Sequence, residues 1–114
     1  MRIRIKRQEK ILTVALSGEL DHHTADDTKR SIDGAILANV CRYVIFDLTG
    51  LTFMDSSGIG MLMGRKKNAE ILGGKCWVVC KGTVEKLLDL SGVFNYIKKA
   101  DDVEILKETL RGEE

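Results

Sequence analysis

Residues 43–72 read YVIFDLTGLTFMDSSGIGMLMGRKKNAEIL, and the way this stretch divides decides the fold. Its opening six residues, YVIFDL, are β-branched and aromatic with a single charge, which fits a strand buried on both faces. From Gly58 a helix follows as far as Leu72, where Gly73 and Gly74 end it. Residues 75–79, KCWVV, return to a strand pattern. Strand, helix and strand in this order make a β-α-β crossover, and a crossover calls for parallel strands.

Toward the N-terminus, charge alternates with Ile over Arg2, Ile3, Arg4, Ile5 and Lys6, the pattern of an edge strand with one solvated face. Gln8, Glu9 and Lys10 read as a turn, and residues 11–16 as a more buried strand closed by Ser17 and Gly18. Ala25, Thr28, Ile32, Ala35 and Ile36 recur at helical spacing and predict a first helix. Beyond residue 79, Thr83 is placed to cap a short helix ending near Ser91 and Gly92. Asp101 or Asp102 is placed to cap a last helix running through Leu110. The expected architecture is one α/β domain over residues 1–114. Its central sheet is mostly parallel, with four or five strands, an antiparallel N-terminal hairpin and about four helices.

Composition removes several function classes. Eighteen Lys and Arg against seventeen Asp and Glu leave a net charge of +1, so no bulk field draws the chain to nucleic acid or an anionic membrane. No apolar run is long enough to span a bilayer, and none follows the N-terminal charges as a signal core. The expected location is the cytoplasm. Cys41, Cys76 and Cys80 are an odd count without CxxC spacing and read as small buried hydrophobes. His22 and His23 are too few to complete a zinc site, so neither metal nor cofactor is expected.

The chemistry concentrates in DSSGIG, residues 55–60, where the central strand turns into the helix. A hydrolase serine needs a base within hydrogen-bond reach and a group to orient it; only His22 or His23 is available, and GxSxG is absent. A phosphate loop needs Gly-Lys-Ser/Thr, but Gly64 is followed by Arg65, Lys66 and Lys67, and Met63 stands where a dinucleotide motif has its third glycine. The plain structural role is a cap, from Asp55 or Ser56. A cap alone leaves Gly58 and Gly60 unexplained, since each weakens the first turn by about 1 kcal/mol relative to Ala. Small residues at an exposed helix start let another protein approach closely, so this end reads as a docking surface. Ile59, Leu62, Met63 and Ala69 are expected to share the buried arc of this helix. Met61 then points away as an exposed contact beside Gly60, Gly64 and Arg65.

The segments GELDHHTA (residues 18–25) and LTFMDSSGIGMLMGRKK (residues 51–67), with LLDLSGVFNYI (residues 87–97), resemble the anti-sigma factor antagonists, single STAS domains of sporulating bacteria. The resemblance implies a STAS-type fold and a switch protein that is no enzyme itself. Its members bind an anti-sigma factor that is also a serine kinase, which supplies ATP and Mg²⁺, and so release the sigma factor. The kinase phosphorylates the serine directly after the motif aspartate, here Ser56, and a PP2C-type serine phosphatase restores it. Ser57 matches the second, non-acceptor serine. The surface expected to meet the partner comprises Asp21, Asp55, Ser56, Ser57, Gly58, Gly60, Met61, Gly64 and Arg65, and no nucleic acid or membrane is involved. Asp21, His22 and His23 lie at the turn entering the first helix, which should share an edge of the domain with the DSSG turn. An alternative is a STAS module that responds to a small ligand or nucleotide bound at the same acidic, glycine-rich edge.

Overall fold

The computed structural model describes residues 1–113. β1 (Arg2–Gln8) and β2 (Ile11–Leu20) form the antiparallel hairpin, with Arg4 opposite Ala15 and Lys6 opposite Thr13. The strands extend further than their sequence patterns do. Gln8 still pairs with Ile11, so only Glu9 and Lys10 are left for the turn. Ser17 and Gly18 do not close β2. The register slips beside each of them, and pairing then resumes as far as Leu20 opposite Met54. Gly18 takes φ 104°, a left-handed backbone that favours glycine, so the strand bends here without ending.

α1 (Ala25–Ala38) buries Thr28, Ile32 and Ile36, three positions of the expected stripe. β3 (Tyr43–Met54) is buried at every position from Tyr43 to Leu48 except Asp47, which is half-buried. It is the centre of the sheet, with β2 parallel on one side and β4 (Lys75–Val79) parallel on the other. α2 (Ser56–Ile71) joins them and ends where Gly73 adopts φ 89°. α3 (Gly82–Leu90), a single 3₁₀ turn at Val93–Asn95, β5 (Lys98–Ala100) and α4 (Val103–Arg111) complete the order.

Sheet order follows chain order, β1-β2-β3-β4-β5, and β2 to β5 are all parallel. Successive right-handed crossovers that always step the same way put their helices on one face. The packing agrees: Ile32 and Ile36 of α1, Leu62 and Ala69 of α2, and Val84 and Leu88 of α3 share one core with Leu12, Val14, Phe46 and Val78. On the other face, Leu106 and Leu110 of α4 cover Ile11, Tyr43, Ile45 and Val79.

Two helix starts separate the expectations. Asp102 caps α4, its Oδ1 accepting the Ile105 N–H at 2.9 Å. Thr83 does not cap α3. That helix starts at Gly82, with the cap position two residues earlier at Lys81 and no side-chain bond to the first turn. The three cysteines are buried thiols, as their spacing implied. Burial pushes the Cys76 thiol up to about 12 and the Cys80 thiol up to about 11, so both stay protonated and unreactive near neutrality.

Candidate functional site

The register that pairs Leu20 with Met54 brings two turns side by side at the carboxyl ends of β2 and β3. A backbone bond locks them, with the Asp55 N–H donating to the Leu20 carbonyl at 3.2 Å. Asp55 is extended (φ −117°, ψ −171°), and its Oδ1 accepts from the N–H of Ser57 at 2.9 Å and of Gly58 at 3.3 Å. Asp55 is therefore the cap of α2, which decides between the two candidates. A carboxylate here also meets the positive end of the helix dipole. Ser56 is the first residue of the helix and is exposed, and its hydroxyl makes no hydrogen bond among the described residues. Ser57 is half-buried and is tied to Asp55 through its backbone.

The neighbouring turn is built by Asp21 and Thr24. Asp21 Oδ1 accepts the His23 N–H at 2.9 Å and the Thr24 N–H at 3.1 Å, and Thr24 Oγ1 accepts the Asp21 N–H at 3.0 Å. Asp21 thus closes the turn, while the cap position of α1 belongs to Thr24, which makes no side-chain cap bond. Burial pushes the Asp21 carboxyl up. The donors from His23 and Thr24, with the nearby His23 charge, outweigh it and hold the carboxyl below its ordinary value. His22 crosses between the turns, its Nδ1 3.8 Å from Asp55 Oδ2, and forms a charge pair when the imidazole carries its proton. The expected shared edge is real. The His22–Asp55 contact was not legible in the sequence, because nothing in the HH pair shows which strand end lies alongside.

The face that α2 buries differs from the expected arc. At about 100° per residue, Met61, Leu62, Arg65 and Ala69 all fall within about 60° of Gly58, while Ile59 and Met63 sit to one side. Met61 is 6% exposed and belongs to the core, so it is not the exposed contact that the spacing predicted. Gly58 explains the rotation. A Cβ there would lie 2.9 Å from Leu20 Cγ and 2.9 Å from Met54 Cγ, so this glycine lets the helix start sit directly on the strand ends. It is a packing residue and not part of an open docking surface. Gly60 and Gly64 are different: a Cβ at either meets nothing within 4 Å. Arg65 also departs from its expected exposure, being buried with its Nε 2.7 Å from Asp33 Oδ1. The visible signal was a lone cation on an otherwise apolar stripe; its partner, on another helix, was not legible.

Around Ser56, His22 and Gly60 are exposed and Asp21, Asp55 and Ser57 half-buried, while Gly64 lies two turns further along α2 and is half-buried. Met61 and Arg65 lie in the floor of a groove between α1 and α2, which is also lined by Ala25, Asp26 and Lys29. No group of three or more potential metal-binding side chains occurs among the described residues. No helix among them is long and apolar enough to cross a membrane.

Residues 2–106 match the STAS domain family. A protein of Paenibacillus polymyxa named anti-sigma F factor antagonist is 39% identical over 104 residues, spanning 90% of this chain and 88% of that one. The solved structure of the anti-sigma factor antagonist SpoIIAA in its unphosphorylated form superposes with a TM-score of 0.76 at 26% identity, over 98% of this chain and 100% of that one. The phosphorylated form of SpoIIAA, from Bacillus, gives a TM-score of 0.70 at 26% identity, over 95% and 99% of the two chains. The chain belongs to the STAS domain family, in its anti-sigma factor antagonist branch.

Proposed function

We propose that the unphosphorylated chain binds an anti-sigma factor that is also a serine kinase, displaces the sigma factor it holds, and is switched off by phosphorylation of Ser56. The observation that carries this reading is the division of labour at the start of α2. Asp55 does the capping, and Ser56 offers an exposed, unengaged hydroxyl on a rigid first turn. An acceptor hydroxyl needs only to be held in line with a γ-phosphate, while the partner brings ATP, Mg²⁺ and the catalytic base. A phosphate adds about −1.5 to −2 charges at neutral pH. Beside a helix N-terminus that charge is tolerated within the chain itself. Its effect falls on the complex, where like charges across an interface weaken binding tenfold for each 1.4 kcal/mol. A PP2C-type phosphatase resets the switch, and the whole cycle runs in the cytoplasm. The similarity to both forms of SpoIIAA supports this reading.

The test is phosphosite mapping by mass spectrometry after incubation with the anti-sigma factor and ATP. One phosphate on Ser56 is expected in the wild type and in Ser57→Ala, and none in Ser56→Ala. Label on Ser57 with Ser56 unmodified removes the assignment.

A further inference from the structure

Arg65 is 6% exposed, yet its guanidinium makes no hydrogen bond among the described residues. Its Nε is close enough to Asp33 Oδ1 for an ion pair, but the N–H is not aimed along that line. Asp33 Oδ1 already accepts from Asn68 Nδ2 at 2.9 Å. An arginine carries five N–H donors in a planar fork, and buried donors are ordinarily paired. This one lines the groove of about 270 Å³ between α1 and α2, together with His22, Lys29, Ser57 and Gly60. Across that lining, Lys29 and Arg65 stand against the carboxylate of Asp26; Asp33 offsets part of the Arg65 charge at Nε, which leaves the two Nη groups and the exposed Lys29 to meet an anion. A flat, donor-only fork with a second cation lining the same groove is the chemistry that receives a carboxylate.

We propose that this groove is a receptor for a carboxylate side chain of the anti-sigma factor, held by Arg65 from below and Lys29 from the rim. The owner of the carboxylate rests on the function proposed above; the anion site itself does not. The arrangement also gives the phosphate at Ser56 something to act on, because the groove's lining reaches Ser57, the next residue along α2, and so draws a partner's negative charge toward the modified residue.

The free chain is titrated with sodium acetate at constant ionic strength, following the Arg65 Nε–H and the amides of Ser57 and Gly60 by NMR. Saturable shifts are expected in the wild type and in Lys67→Glu, which changes an exposed lysine elsewhere on α2. They should be lost in Lys29→Glu, an exposed position whose substitution leaves the core untouched, and in Arg65→Met. No shift in the wild type, or equal shifts in all four chains, overturns the site. Saturation by inorganic phosphate where acetate moves nothing overturns the carboxylate. Calorimetry with the anti-sigma factor then tests ownership. Lys29→Glu should weaken binding about tenfold and Arg65→Met about 30-fold or more, with Lys67→Glu unchanged. If the wild type binds and both variants bind equally well, the partner carboxylate is refuted while the antagonist reading stands. Acetate shifts without any binding of the anti-sigma factor refute that reading and the ownership together, but not the anion site.

Discussion

A methyl group added at Gly58 and one added at Gly60 meet opposite surroundings, although the residues are two apart on the same turn. At Gly58 it would press against Leu20 and Met54, and overpacking of that kind costs about 1–3 kcal/mol, more than the roughly 1 kcal/mol that alanine returns to the helix. Gly58→Ala is therefore expected to melt below the wild type. Gly60→Ala has open space and should melt at or above it. The same comparison separates the serine from its neighbour. Asp55→Ala removes the cap and should lose about 1 kcal/mol, whereas Ser56→Ala should be close to neutral because its hydroxyl satisfies nothing. If the two melts come out in the reverse order, Ser56 is the cap and the division of labour proposed for the switch is wrong.

The β2–α1 turn and α2 behave as units, and each carries its own expectation. In the turn, the Asp21 carboxyl is held below its ordinary value in the folded chain. A depressed carboxyl contributes stability that is present above its unfolded value and is lost as pH falls through the folded one. Denaturation midpoints should therefore drop on acidification below about pH 4, and Asp21→Asn, which keeps the acceptor oxygen, should flatten that part of the profile. An unchanged profile removes Asp21 from the turn's support. In α2, Met61→Ala should cost about 2–5 kcal/mol, as for a core methionine, where a surface position would change little. This element also marks how far the sequence could be read. The crossover around β3 was legible because YVIFDL and KCWVV each carry a clear strand pattern, and DSSG marks the turn. The rotation of α2 was not, because it depends on how closely Gly58 approaches Leu20 and Met54, which lie in two separate strands. β5 escaped naming for a simpler reason. Lys98, Lys99 and Ala100 are too few to show a period, and they are strand only because β4 is there to pair with them.

At the scale of the whole molecule, the site is an edge property of a sheet whose three crossover helices lie on one face. Because β2 and β3 are parallel neighbours, their following turns meet, and Asp21, His22, Asp55 and Ser56 gather without any long-range folding of loops. A modification at that edge can alter a partner's binding while leaving the core under α1, α2 and α3 undisturbed. Ser56→Asp should accordingly melt near the wild type and bind more weakly, and only partly mimic phosphate because it carries one charge. The central claim is that phosphate on Ser56 acts on the complex and not on the fold. It is tested most directly by titrating the purified anti-sigma factor, in one calorimeter run each, with the unphosphorylated chain and with the chain phosphorylated on Ser56. The expected result is at least a tenfold weaker affinity for the phosphorylated chain, with both forms melting within a few degrees of each other. Equal affinities for the two forms would contradict the account.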